Sequence, residues 1–485
     1  MHDSKTVDHR RRSLLAGIAG GVLLSGCGSG GESGPGGEAP SLTGYRASLY
    51  PGTWPADMAN SNRSGTVIGA GLPADFDPGA LRIDSYPVPF PVFTYTRAAG
   101  EVFVVGGLPA VLAAYVSAID GLPPGATPPD PHITRIDPLS GRTLRLALDR
   151  GTGFPYIGGA LMHGNGSVYV VSQAHLYKII PETMQLAASI ELPDIPGKPR
   201  QALVYNGLAV SRSGRLLTKA FSGGSARFVL VDPESLAIDF VFDHNGASPR
   251  LTVSAAGDGG EYLYHLDREQ VFRFLIGANE LTPDPDWGTA YRPYPEDSSN
   301  DEPTSPVVAG GRVYYTTNTA PGASHAMKLF WAGVDEVYPE SAPPLVGEFM
   351  FSDAETAGWN FFHPTVDDVV TDIVIGMDQA NGRIAALRVG ADERLERLWE
   401  QGLRVSARPA IVADRGLVYC TDYADGRNYF VALDLATGSE RARLATPATR
   451  ATIATIAVGG DGEVYFASNE PGQAQGYLHR ITLAG

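Results

Sequence analysis

Val418–Leu444 reads VYCTDYADGRNYFVALDLATGSERARL, and its punctuation sets the reading of the whole chain. Two apolar and aromatic runs flank the turn residues of Tyr-Ala-Asp-Gly-Arg. Asp434 and Gly438 then mark a hairpin into a further short strand. Upstream, RPAIVAD at Arg408 supplies one more apolar strand. Together they make a unit of four short strands joined by tight turns.

The unit repeats. A Gly turn followed by three or four apolar residues occurs as GEVFVVG at Gly100, GSVYVVS at Gly166, GRLLTKA at Gly214 and GEYLYHL at Gly260. It returns as GRVYYTT at Gly311, GLVYCTD at Gly416 and GEVYFAS at Gly462, and without the leading Gly as TDIVIGM at Thr371. Preceding strands begin at Ser248, Ser305, His363 and Arg408, each directly before a proline. Following hairpins include ITRIDPLSGRTLRL from Ile133 and FVLVDPESLAIDF from Phe228. The mean spacing is roughly 50 residues, within the range of propeller repeats.

A four-stranded antiparallel unit cannot cover both of its faces, so neighbouring units must do so. The pattern predicts an all-β chain folded as an eight-bladed β-propeller, with a seven-bladed ring as the alternative. The last unit ends at YLHRITLAG without a fourth strand. Ala80–Val88, ALRIDSYPV, precedes the first unit without a partner. Pairing these two segments would close the ring.

The N-terminal region carries a different signal. Arg10–Arg12 form a basic patch, and Leu14–Leu24 is an apolar run well short of the ~20 residues of a spanning helix. Leu24-Ser25-Gly26-Cys27 resembles the lipobox of bacterial lipoproteins. That resemblance implies cleavage before Cys27, lipidation of its thiol and export to the cell envelope. The domains expected are a signal peptide over 1–26, a Gly/Ser-rich tether over 27–41 and the propeller over 42–485. No Asp follows Cys27, which in lipoproteins of two-membrane bacteria implies transport to the outer membrane. The membrane is thus an expected partner, through lipid. A net charge of −16 excludes a broad nucleic-acid footprint.

Within the repeats, the Tyr429–Leu444 run, with its Ala-Leu-Asp core and Thr-Gly-Ser, resembles the repeat of pyrroloquinoline-quinone-type propellers. TWPADMANSNRSG near the N-terminus also suits that family. The resemblance implies an eight-bladed ring. The family includes quinone-dependent dehydrogenases and cofactor-free envelope scaffolds. Its alcohol-oxidising members use adjacent cysteines, a Trp platform, a calcium site and an aspartate base. This chain has only Cys27 and Cys420, and the repeat's fourth-strand Trp is clear only at Trp399. No quinone or other cofactor is therefore expected.

Candidate site residues follow from the propeller, whose channel mouth lies where the innermost strands begin. His363 and Arg408 are the catalytic candidates, able to bind an anion or polarise a carbonyl. Ser248 stands in the same position. Ser305, Trp359 and Phe362 are ligand-binding candidates, the last two with Phe361 in GWNFFHP. No metal site is expected. His163, His175 and Asp137 lack metal-ligand spacing, and Asp367, Asp368, Asp372, Asp422 and Asp425 read as turn residues. Two functions remain. One is a lipid-anchored binding or assembly module for envelope proteins or a small ligand. The other is an exported hydrolase, lyase or degenerate oxidoreductase working at the channel mouth.

Overall fold

The turns that punctuate the sequence are built by aspartates. Asp434 Oδ1 accepts from the N–H groups of Ala436 and Thr437 at 3.1 and 2.9 Å. Asp137 does the same for Leu139 and Ser140, and Asp232 for Glu234 and Ser235. These side chains stand in for backbone partners at hairpin corners. The description is of a computed structural model. It covers residues 44–484 apart from 108–129, 150–155, 247–249, 268–269, 291–303, 318–326, 339–344, 346, 352–362, 368, 380, 448–449, 452–454, 461 and 470–474.

The hairpins assemble into eight sheets. Blade one runs from its innermost strand Pro91–Ala98 through Glu101–Gly106 and His132–Ile136 to Thr143–Ala147 at the rim. Blade seven repeats that order as Ala410–Val412, Leu417–Ala424, Arg427–Asp434 and Glu440–Ala445. Each of the eight apolar runs, seven of them Gly-led, supplies the second strand of a blade. Second strands are mostly buried, and fully so at Val168–Ser172, because neighbouring blades cover both faces. Rim strands alternate, as at Thr143–Ala147. Blades six and seven share one apolar layer that includes Ile375, Ala386, Ile411, Val418 and Val431.

Blade eight is built from both ends of the propeller. Leu81–Pro89 pairs antiparallel with Gln475–Leu483, from Leu81 opposite Leu483 to Pro89 opposite Gln475. The ring is therefore shut by backbone hydrogen bonds between segments almost four hundred positions apart in the sequence.

Rim aromatics latch three of the blades to the next. Trp399 Nε1 donates to the Leu435 carbonyl of blade seven at 2.8 Å. Trp399 is not alone in this role. Trp287, on the rim strand of blade four, donates to the Gly333 carbonyl of blade five at 3.0 Å. Its strand, LTPDPDWGTA, carries two prolines and does not read as a strand in sequence. Tyr86 does likewise across the closure, donating to the Pro138 carbonyl of blade one at 2.6 Å. Tyr86→Phe is expected to lower stability by about 1 kcal/mol, the net worth of one such bond. Chemical denaturation reads this directly, and an unchanged midpoint would exclude the latch.

The central hole is filled by the chain's own N-terminal segment. Gly52–Val67 is buried at every position. Carbonyls of Trp54, Pro55, Ser61, Asn62, Ser64 and Gly65 accept from the N–H groups of Thr96, Met162, Val253, Val308, Val366 and Ile411. Those donors lie on the innermost strands of blades one, two, four, five, six and seven. Ser48 reaches the Arg212 carbonyl of blade three, and Gly71 the Gly459 carbonyl of blade eight. The segment thus satisfies inner strand edges that would otherwise face the axis unpaired.

Candidate functional site

Side chains from six blades and the plug meet on the axis. From the plug come Asp57 and Arg63; from the starts of innermost strands come Tyr156, Asn206, Arg250, Ser305, His363 and Arg408. Asp57 is the hub. Its Oδ2 accepts from Arg250 Nη1 at 2.5 Å and from Arg63 Nη1 at 2.8 Å. Its Oδ1 accepts from Arg408 Nη1 at 3.3 Å. Arg63 Nη2 lies 2.8 Å from His363 Nε2.

The surroundings fix each group. Arg250 lies over the Phe93 ring at 4.3 Å, and its Nε donates to Asn206 Oδ1 at 3.0 Å. Tyr156 donates to the same oxygen at 3.1 Å. The Arg250 backbone N–H donates to Ser305 Oγ at 2.9 Å. Room for Arg250 comes from glycines in two neighbouring strands. A Cβ at Gly207 would lie 3.2 Å from Arg250 Cβ and Cγ, and one at Gly159 3.4 Å from Nη1. Both glycines have positive φ and interrupt the strand register, as β-bulges beside a site do.

The electrostatics are set by burial and by the three guanidiniums. Burial alone would raise the Asp57 carboxyl, but Arg250, Arg63 and Arg408 overcome it and hold Asp57 well below the usual carboxylate range. His363 is 1% exposed, and burial together with Arg63 and Arg408 pushes its pKa well below the ordinary 6.5. It is neutral at pH 7. Its Nδ1 lies 3.1 Å from the Pro364 carbonyl and so carries the proton; Nε2 then accepts from Arg63. Burial and the facing arginines bring Arg408 down to about 10, still charged at neutral pH.

His363, Arg408 and Ser305 are thus brought together on the axis, as the spacing of their strands predicts. Ser248, Trp359, Phe361 and Phe362 lie outside the described residues, as does Asp368. The remaining sequence candidates serve locally. His163 accepts from Asn165 N–H at Nδ1 and faces the Gly214 carbonyl at Nε2. Asp367 accepts from the N–H groups of Val369, Val370 and Thr371 in its own turn. Asp422 is held by Arg404 N–H and Arg443. Among the described residues no His, Cys, Asp and Glu group has the arrangement to hold a metal ion.

Sequence reading missed Asp57, Arg63, Arg250, Asn206 and Tyr156. One signal was present: YIGGALM and VYNGLAV place glycines inside strands, which marks a bulge or close approach.

Comparison with known proteins adds the fold. No family model matches the chain, and no curated protein matches its sequence. Among solved structures it resembles a europium-containing methanol dehydrogenase, with a TM-score of 0.57 and 10% identity over 90% of this chain and 99% of that one. It also resembles the quinohemoprotein alcohol dehydrogenase of Comamonas testosteroni, with a TM-score of 0.52 and 11% identity over 89% of this chain and 81% of that one. The chain shares the propeller fold of these dehydrogenases.

At such identity the likeness carries the fold alone. The residues present do not fit a quinone of that type. Cys420 is fully buried in the second strand of blade seven, with its thiol pKa pushed up by burial. It has no cysteine neighbour in the sequence. Trp399 serves the rim, and the axial Asp57 is committed to three arginines. The axial aromatic Phe93 already carries a guanidinium on its ring.

Proposed function

We propose that the protein is a lipid-anchored β-propeller of the cell envelope that binds its ligand or partner without converting it and without a quinone. One observation carries this reading: the axial charged groups hold one another, three guanidiniums on the Asp57 carboxylate and His363 on Arg63. His363 uses both ring nitrogens and stays neutral because it is buried and faces arginines, which makes it a poor proton shuttle. Such a set suits holding charge in place.

The anchoring half rests on the Cys27 lipobox and on the path of the chain. Tyr45 OH donates to Glu261 Oε1 at 2.5 Å, and Ser48 reaches Arg212. Both partners lie where innermost strands turn back into second strands. The chain enters the ring on that face, so a tether would emerge there.

Metabolic labelling with a palmitate analogue tests the anchor. The wild-type protein is expected to carry the label and sediment with membranes. Cys27→Ser is expected to lose both; a labelled, membrane-bound Cys27→Ser protein would refute the assignment. The second reading, an exported enzyme, is favoured by the meeting of His363 and Arg408 in one cluster. On that reading His363→Gln abolishes turnover of a substrate that the wild-type protein converts.

A further inference from the structure

We infer that the outer edge of blade three is a docking surface for a second copy of this chain, the two rim strands pairing antiparallel about Val241. The inference goes beyond the anchored-module reading and does not depend on the lipid.

Blade three ends in the rim strand Ile238–Asn245, the outermost strand of its sheet. A terminal strand turns backbone N–H and C=O groups outward, and such an edge pairs with other chains unless it is blunted. Most rims of this ring are blunted. Pro283 interrupts the rim of blade four and Pro87 that of blade eight. Arg145, Arg397 and Arg443 put cations on the rims of blades one, six and seven. Blade five has a rim strand of two residues, Glu348–Phe349. Blade two carries neither proline nor cation, but a register shift between Leu186 and Ala188 breaks its pairing. The rim of blade three keeps eight residues without proline, lysine or arginine, and its one register shift lies at the start, beside Ile238.

The residues on that edge point to the occupant. Asp239-Phe240-Val241-Phe242-Asp243 reads the same in both directions. A two-fold contact needs a surface complementary to itself. Antiparallel pairing about Val241 sets Phe240 opposite Phe242 of the second copy, and Val241 opposite Val241. Phe242 already lies 6.2 Å from Phe228 and 6.4 Å from Phe240, both on the half-buried side of the strand. The second copy lengthens that aromatic row, a stabilising kind of cross-strand pair. It also covers Ile238 and Val241, which are 40% and 36% exposed.

Charge does not oppose the contact. The pairing sets Asp239 opposite Asp243, and each brings its own guanidinium. Arg215 holds Asp239 at 2.9 Å, and Arg227 grips Asp243 at 2.6 and 2.7 Å. Like charges directly opposite destabilise a sheet, and here each is offset within its own copy.

The test uses the full chain in detergent micelles, followed by analytical ultracentrifugation. A dimer is expected with a dissociation constant in the micromolar range, as suits a small interface. Val241→Lys changes an exposed side chain and sets two cations opposite each other. It should weaken the dimer about tenfold or more while leaving the melting temperature of the monomer unchanged. Val241→Cys reads the register itself. Opposite residues of an antiparallel pair lie about 4.5–5.5 Å apart at Cα, within reach of a disulfide. Mild oxidation should therefore link two Val241→Cys chains, and should link neither Leu186→Cys chains nor the unsubstituted protein. A chain that stays monomeric at about 100 μM, well above micromolar affinity, overturns the inference. So does a dimer that Val241→Lys leaves intact, or Val241→Cys cross-linking no faster than that of Leu186→Cys. A monomer that uses this edge to bind a different protein overturns it as well.

Discussion

Asp57→Ala is expected to cost about 3–5 kcal/mol of stability, the usual penalty for removing one partner of a buried charge pair. Here the loss strands three guanidiniums together. Arg250 and Arg63 share one carboxylate oxygen at 2.5 and 2.8 Å, and Arg408 takes the other. Arg63 cannot move to water without unthreading Gly52–Val67, whose carbonyls are bonded to six innermost strands, and Arg250 is 3% exposed. None deprotonates readily at neutral pH. Repulsion among them would therefore act against the plug and against the strands that begin at Arg250 and Arg408. Denaturant or calorimetric unfolding of the full chain measures the effect. A loss under about 1 kcal/mol, typical of an exposed pair, would show that the cluster is solvated and the axis open.

The second large effect is acid sensitivity. Four described histidines are the most strongly held neutral: burial lowers His132 to about 4 and His479 to about 3, and holds His265 and His363 well below 6.5, while His163 is lowered too. His479 is clasped between Ser85 Oγ and Ser468 Oγ at 2.8 and 2.5 Å. His265 faces Lys219 Nζ at Nδ1 and the Asn245 carbonyl at Nε2. In the unfolded chain each titrates near 6.5. Above that pH both states are neutral and the native packing keeps its full value. As pH falls below 6.5 the unfolded state takes up protons that the folded state refuses, and stability drops.

Each histidine contributes a limiting slope of about 1.4 kcal/mol per pH unit, so four approach about 5 kcal/mol per unit near pH 5. Glu261, raised by burial, offsets a little of this near its own pKa. Asp57, held low, adds its loss only below about 3.8, as its depressed pKa is approached. Melting temperatures measured from pH 7.5 to 4.5 should fall steeply from about pH 6. A flat profile down to pH 5 would mean that these rings are accessible in the native state.

Much of the ring is legible in the residues. The eight apolar runs, seven of them Gly-led, mark the second strands, and Asp434 and Gly438 mark a real corner. The unpartnered stretch before the first unit does supply the missing strand, because a nine-residue strand at Leu81–Pro89 matches one at Gln475–Leu483. Trp287 escaped because prolines disguised its strand. The axial site was half visible: residues before Pro306, Pro364 and Pro409 lie at the starts of innermost strands, where local pattern alone places them. Arg250 was not, since only the bulges at Gly159 and Gly207 make space for it.

By itself, the sequence determined the strands, the repeat and the way the circle closes, because alternation, turn chemistry and the need to cover two apolar faces act locally or between neighbours. Only the tertiary structure decided that TWPADMANSNRSG is the plug of the ring and not a solvated loop. Its polar residues have no periodicity to read. Their partners are backbone edges and guanidiniums that come together on one axis only once eight sheets have closed around it.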